Sequence, residues 1–335
     1  MATQASSFAE GRNRRILAIV AACALAAAAL VVGLTRLEMR GQTTTVPGAV
    51  TTPQPGTPPL QLEFGLRPSP ESRALARAEK LLDRAQDPRP AQAAAIFRRY
   101  HSLAAQLGLL FATWRGPSSL PAVKRLAAAH ADDPTALLNL GWADYQAGRN
   151  ADAVAAWQKV AREVPDSAYG VDAEDALHSG EIPGLPYLVL DFQPPRSITR
   201  LPAAQELAAA ARAAARPDEH AKLVYGWLLW NLKRPLSAER QFAAAAKLAP
   251  NDPLARTAAA VGLFTKADPV RAFGRLGPLT GVFPRSAVVR FHLGLLLLWT
   301  GEREKAAAQL RLAIADGPHT VYASPARQLL KSLGK

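Results

Sequence analysis

Two adjacent acidic pairs, Asp132-Asp133 and Glu174-Asp175, and six histidines at 101, 130, 178, 220, 292 and 319 are the residue types here that could carry acid–base or metal chemistry. A carboxylate pair divides the roles of general acid and base only where its surroundings push the two pKa values apart. Both pairs fit predicted helix termini or solvated faces better, because a carboxylate near a helix start offsets the macrodipole. The histidines are far apart and lie on different predicted helices or turns, so their spacing does not set up the ligands of a metal site. The chain also lacks a G-x-x-x-x-G-K-S/T phosphate loop, a G-x-G-x-x-G fingerprint, an H-E-x-x-H pair and a G-x-S-x-G elbow. The expectation is a protein that is not an enzyme and needs no metal and no cofactor.

Placement and binding therefore have to be sought in the elements themselves. The 335 residues are 49% hydrophobic and 20% charged, with one cysteine, which excludes a collagen, a wholly disordered chain and a disulfide-stapled miniprotein. Lys and Arg outnumber Asp and Glu by 40 to 27. The basic residues are scattered singly among acidic ones, unlike a nucleic-acid-binding arm, so no nucleic acid partner is expected. Residues 1–40 hold only five Arg against two Glu, so the excess is spread over the remainder. The frequency of Ala and Arg over Lys suits a bacterial protein encoded in GC-rich DNA.

Residues 16–34 (ILAIVAACALAAAALVVGL) are nineteen without a charge, about 30 Å of helix and the thickness of a bilayer core. Arg12, Arg14 and Arg15 precede them and Arg36 and Arg40 follow, a slight positive-inside bias that puts residues 1–15 in the cytoplasm. The segment reads as an uncleaved transmembrane anchor. A cleaved signal peptide and a lipoprotein processed at Cys23 stay open as alternatives. Residues 41–62 are uncharged and rich in Thr and Pro, so 35–70 is expected to be an extended Pro/Thr-rich linker outside any packed core.

Residues 71–335 consist of Ala- and Leu-rich amphipathic stretches broken by Gly and Pro. Their register is strict: Gly226, Ala260 and Gly294 are 34 apart, as are Ala238, Ala272 and Ala306, then Phe242, Leu276 and Leu310, then Pro250, Pro284 and Pro318. Leu140, Gly141, Ala153, Trp157, Val160 and Pro165 fit the same frame, with Gly148 and Gly301 at the turn between helices. This resembles the tetratricopeptide repeat family, whose 34-residue unit is a pair of antiparallel helices. The resemblance implies close helix approach at the small positions Gly141, Ala153, Gly226, Ala238, Ala260, Ala272, Gly294 and Ala306, a large residue filling the space beside them, and Pro ending the second helix. Asp144 and Leu279 depart from the pattern.

The block at 141 and the block at 226 are out of step by seventeen residues, which predicts an insertion near 181–197 containing a short extended apolar piece, 187–192. An intervening copy would pair a helix at 169–179 with one at 201–216. A more degenerate copy is expected at 92–115 and 120–130, an extra helix at 71–86, and a capping helix at 324–333 opened by Ser324 and Pro325.

The resemblance further implies that Trp142, Tyr145, Trp227, Trp230, Phe264, Phe291 and Trp299 line an inner, concave surface, with Asn231, Gln146, Arg149 and Arg234 as polar neighbours. Aromatic residues there suit a partner's peptide or helix, unless neighbouring helices bury them. The Lys/Asn clamp that some family members use for a C-terminal carboxylate is not reproduced, since its position holds Thr135, His220, Leu254 and Val288. The expected protein is thus an all-α helical-hairpin solenoid behind a single-pass membrane helix and linker, a scaffold or adaptor in the bacterial envelope that binds another protein. The alternative is an envelope enzyme or polysaccharide-binding protein that uses the 181–197 insertion.

Overall fold

The computed structural model describes residues 52–67, 69–83 and 87–334, and among them there is no strand. The expected cytoplasmic segment 1–15 and membrane segment 16–34 lie outside the described residues, within which no helix is long and apolar enough to cross a membrane. Helices α1 (Pro70–Leu82), α2 (Pro90–Phe97), α3 (Leu103–Ala112) and α4 (Leu120–Ala129) lead into the hairpin of α5 (Pro134–Gln146) and α6 (Asn150–Glu163), which is followed by α7 (Ala168–Leu177). The insertion and the short α8 (Arg196–Thr199) precede α9 (Ala203–Ala214) and the hairpin of α10 (Glu219–Asn231) and α11 (Pro235–Leu248). Then come α12 (Pro253–Val261), α13 (Val270–Leu276), α14 (Leu279–Val282), the hairpin of α15 (Ala287–Trp299) and α16 (Arg303–Asp316), and the closing α17 (Ala323–Ser332). Neighbouring helices pack on one another up to α7 and again from α8 on, as each amphipathic unit must to hide its apolar face.

The starts follow local rules. Asp133, Asp218 and Asp252 each turn a carboxylate onto a backbone N–H at the head of α5, α10 and α12, while Ser167 does so with its hydroxyl at the head of α7. Asp133 is thus an N-cap, which accounts for one acidic pair. Gly148 and Gly301 take φ of 78° and 80° at the α5–α6 and α15–α16 turns, a region closed to most side chains. The equivalent turn between α10 and α11 carries Lys233, with φ of 53°.

The repeat frame appears as contacts. A Cβ on Gly226 would stand 2.6 Å from the Phe242 ring, one on Gly294 3.0 Å from Leu310, and one on Gly141 closer still to the Trp157 indole. Ala260 and Leu276 complete the series, both buried, and Ala153, Ala238, Ala272 and Ala306 are all 0% exposed. The departure at Asp144 is compensated: its buried carboxylate pairs with Lys124 at 3.1 Å and Arg149 at 3.5 Å. In the third copy the second helix breaks at Gly277-Pro278 into α13 and α14, since proline cannot donate to the helix and disfavours the turn before it.

Four expectations need correction. The helices at 169–179 and 201–216 exist as α7 and α9 but do not make a hairpin: α7 rests on α5 and α6, and α9 on α8 and α10. One period after Gly141 and Ala153 the frame places Asp175 and Tyr187, so the small residues that allow close approach are missing. The stretch 92–115 is two helices, α2 and α3, with Gly108 closely packed on Phe97. The cap begins at Ala323, with Tyr322 in the capping position, so Ser324 lies inside the helix. Finally, the linker is not an extended stalk over its described part: Pro58, Leu60 and Leu62 are buried, the two leucines in the core cluster of α1 to α4.

Candidate functional site

The side chains expected to line an open concave surface face the chain itself. Residues 52–62, hereafter the strap, cross the α5 helix. Asn139 grips one residue of the strap at both ends: its Oδ1 accepts the Gln61 N–H at 2.9 Å and its Nδ2 donates to the Gln61 carbonyl at 2.8 Å. Two turns along the same face, Gln146 Nε2 donates towards the carbonyls of Gln54, Pro55 and Gly56 at 3.1, 2.7 and 3.2 Å, while the Gln146 carbonyl accepts the Gln54 N–H at 2.8 Å. A Cβ on Gly148 would stand 2.6 Å from the Thr52 carbonyl carbon, so the glycine serves both the turn and the close approach of the strap. The Leu62 N–H reaches Glu79 Oε1 at 2.8 Å, and burial pushes the Glu79 carboxyl up to about 7.

The second groove, formed by α10, α15 and α17, holds the insertion. Trp299 Nε1 donates to the Gly184 carbonyl at 3.2 Å, Trp230 to Pro186 at 2.6 Å and Trp227 to Leu188 at 3.1 Å, so three indoles take alternate carbonyls of an extended segment. His292 Nε2 accepts the Val189 N–H at 3.0 Å, and its Nδ1 stands 2.7 Å from the Val288 carbonyl. That pairing puts the single imidazole proton on Nδ1, and burial lowers the pKa of the ring to about 4. Tyr322 donates to the Val189 carbonyl at 3.3 Å, Tyr187 stacks edge-on against Trp299, and Phe192 meets His220 in the same way.

The two grooves use one register. Asn139 and His292 both stand two residues before the small glycine of their helix, at Gly141 and Gly294, and each accepts an N–H of the extended chain. Gln146 and Trp299 both stand five residues after that glycine, and each donates to a carbonyl. Both segments run antiparallel to the helices that hold them, and almost every polar contact is to backbone.

The other predicted site residues fall as follows. Trp142 is half-buried, packed edge-on against Trp157 at 4.9 Å with Tyr145 at 6.2 Å, and its buried indole N–H has no hydrogen-bond partner. Phe264 and Phe291 are core, 0% and 1% exposed, so neither offers surface. Asn231 is exposed at the end of α10, and Arg234 is exposed just after it. Arg149 pairs with Asp152 at 2.6 Å. Sequence reading put Gln146 among the polar neighbours but passed over Asn139, although an amide in the otherwise apolar run Leu137-Leu138-Asn139-Leu140 is a visible signal.

Between the grooves lies a polar seam. Asp172, on α7, pairs with Lys233, which also feels the charge of Glu63, the residue just after the strap. One turn on, Asp175 pairs with Lys266 at 2.6 Å and takes the Gly184 N–H at 2.9 and 2.8 Å. Glu174 instead meets His178 at 3.3 Å. The second acidic pair thus lies in the last turns of α7, not at a helix start, and its members serve ion pairs and a backbone N–H. The insertion lies across the indoles, so the open aromatic platform that a polysaccharide would need is covered.

This is a helical-hairpin solenoid whose inner face grips extended chain. Within it, the tetratricopeptide repeat family model matches residues 135–167, the α5–α6 hairpin and the turn after it. No curated protein matches the chain. Among solved structures it is similar to YrrB, a TPR protein with an unusual peptide-binding site, at 17% identity over 62% of this chain and 98% of that one, with a TM-score of 0.31. A tetratricopeptide repeat protein from Parabacteroides merdae aligns at 15% identity over 79% and 99% with a TM-score of 0.33. The TPR2AB domain of yeast Sti1, solved as a pHSP90 complex, aligns at 13% over 79% and 98% with a TM-score of 0.31.

Proposed function

We propose that this chain is a scaffold for protein–protein interaction, tethered to a bacterial membrane by residues 16–34 with its N-terminus cytoplasmic and its repeat domain in the envelope outside. The observation that carries the interaction is the side-chain-to-backbone grip: Asn139 and Gln146 on one groove, three indoles on the other, each set placed to hold extended polypeptide whatever its sequence. The partner is another protein, and nucleic acid is not part of the reading. The tether rests on the nineteen uncharged residues and the arginines before them.

Two experiments test it. Protease added outside spheroplasts should digest the repeat domain, and protection would overturn the topology. A photo-crosslinking amino acid at Tyr145, half-buried on α5, or Asn231, exposed at the end of α10, should capture one defined protein in cells. The same label at Arg311, exposed on α16, should not. Equal capture from Arg311, or none from Tyr145 and Asn231, would overturn the scaffold reading.

A further inference from the structure

We infer that the α5 groove is a receptor for an uncharged, proline-rich, extended segment of a partner, and that the strap is its resident, displaceable stand-in. The inference rests on the scaffold reading only for its use in the cell. Four features of the groove carry it.

The polar grip at both ends of the strap touches backbone alone, at Gln54, Pro55 and Gly56 through Gln146 and at Gln61 through Asn139. A second chain in the same conformation would keep every one of those bonds. Selection by side chains comes from between and beside them: Pro58, Leu60 and Leu62 are buried while Pro53, Pro55 and Pro59 are exposed, so the groove itself reads one proline and two leucines spaced by one residue. Proline suits it for a further reason, because a chain already biased to polyproline II loses little entropy on docking. The Thr52 carbonyl passes over Gly148 at a distance that no side chain would permit, so this end of the groove is shaped for passing backbone.

Occupancy by the strap is also incomplete. Trp142 and Trp227 hold the same place in their helices, one residue after the small glycine. Trp227 donates its N–H to the Leu188 carbonyl, while that of Trp142, about one turn from both Asn139 and Gln146 on α5 and packed against Trp157 and Tyr145, is buried without a partner. A competing segment that brings a carbonyl to it makes one bond more than the strap does. Its arrival would release eleven residues, adding roughly 30 Å of reach between the tether and the solenoid at about 3.1 Å per residue.

The test uses full-length protein and a fluorescein-labelled peptide of sequence TPQPGTPPLQL, identical to residues 52–62. Wild type should bind it weakly, because its groove is competent only for the fraction of time that the strap is off. Leu60→Ser with Leu62→Ser, which withdraws the strap's two buried leucines from the core cluster and so loosens the strap, should tighten fluorescence-polarisation binding by about tenfold or more in protein of native helical content. Asn139→Ala added to that variant should abolish binding, and a peptide with serine at both leucine positions should fail on every variant. No binding to a loosened variant of native helical content, or binding indifferent to Asn139→Ala, would overturn the proposal. Should the loosened variant not fold, Leu60→Cys in a Cys23→Ser background gives a second measure. Saturating peptide should speed thiol labelling at position 60, and an unchanged rate would overturn it equally. Crosslinks from Tyr145 or Asn231 in cells with no peptide binding in vitro would sink this inference and leave the scaffold reading standing. The reverse pair of results would do the opposite.

Discussion

A methyl group added at the small position of each hairpin measures how tightly that hairpin is closed. Glycine to alanine inside a helix should stabilise by about 1 kcal/mol through propensity alone. Against this stands the cost of forcing a carbon into a filled space, about 1–3 kcal/mol. At Gly294 the new Cβ meets Leu310 Cγ and Cδ2 at 3.0 Å, a contact relieved by a shift of a few tenths of an ångström, so the two effects about cancel and stability should be nearly unchanged. At Gly226 it meets the Phe242 ring at 2.6 Å and Gln241 Cβ at 3.1 Å, leaving a net loss of about 1 kcal/mol. Gly141 is the tightest of the three, set against an indole that is itself fixed by a hydrogen bond to the Leu138 carbonyl. Gly141→Ala should therefore lose about 2 kcal/mol, from overpacking together with that bond. Ala260→Gly, the reverse change in the copy where alanine already fits, should lose about 1 kcal/mol of propensity with nothing gained. Urea unfolding followed by far-UV circular dichroism reads the order as a shift in midpoint. A Gly141→Ala protein as stable as Gly294→Ala would refute the equivalence of these sites and the packing derived from it.

Other outcomes follow from the grooves and the seam. Trp230→Phe keeps the ring that packs on Phe242 but orphans the Pro186 carbonyl, so it should cost about 1–2 kcal/mol and speed limited proteolysis within 181–197. Lys233→Gly relieves about 1 kcal/mol of left-handed backbone strain, yet it strands the Asp172 carboxylate, for a net loss of about 2 kcal/mol. Adding Asp172→Asn to Lys233→Gly should recover most of that loss, again read by urea midpoint. His292 is neutral in the folded state with its pKa depressed from 6.5 to about 4. Its contribution is full above pH 6.5 and is lost as pH falls towards 4, about 3 kcal/mol in all. Glu79, raised to about 7, works the other way over pH 4.5 to 7, so the measurement is the difference in midpoint between wild type and His292→Leu, which should shrink as the buffer is acidified.

The solenoid was legible because close packing forces residue size: a small side chain at 141, 226, 260 or 294 and a large one sixteen residues on leave a periodic trace in the sequence. That small-to-large spacing marks the hairpins opened by α5, α10, α12 and α15, and its failure at 175 and 187 marks the one that does not form, while the packing of α2 on α3 leaves no such trace. The contents of the grooves left a fainter trace. Asn139, Gln146 and the indoles hold backbone, and backbone carries no residue identity for a sequence to display. Proline and threonine in the linker reported a chain unable to fold by itself, which is true of 52–62 and irrelevant once α5 supplies the partners for its amides. The alternation Leu60-Gln61-Leu62-Glu63-Phe64 was the available sign that one side of this stretch is covered. Of the aromatic positions, Trp227, Trp230 and Trp299 face the insertion and Phe264 and Phe291 are core, because number and size of rings do not say whether a neighbour or the chain itself lies over them.

The seventeen-residue break and the filled second groove are one event in packing. A hairpin after α7 would need a small residue at 175 to admit its second helix, and aspartate there cannot be buried against an apolar helix without a partner. Lys266 and the Gly184 N–H supply that partnership. Holding Gly184 turns the chain, at φ of 79°, away from the helical path and towards α15, where Trp299 takes its carbonyl. From there Pro186 lacks the N–H that a helix requires, and Leu188 and Val189 settle onto Trp227 and His292 as extended chain. What remains of the lost hairpin is α7, resting on α5 and α6 beside an open cleft of about 620 Å³ lined by apolar side chains such as Val154 and Leu177 and by Gln158, Arg162, Glu174 and His178. Asp175→Ala consequently does more than delete an ion pair. It frees the Gly184 N–H and strands Lys266, 3% exposed at its side chain, so the insertion should loosen from its Gly184 end before α10, α15 and α17 lose any helix. Amide exchange rising first at 184–189, ahead of those helices, is the expected order, and simultaneous exchange would mean that insertion and groove are a single cooperative core.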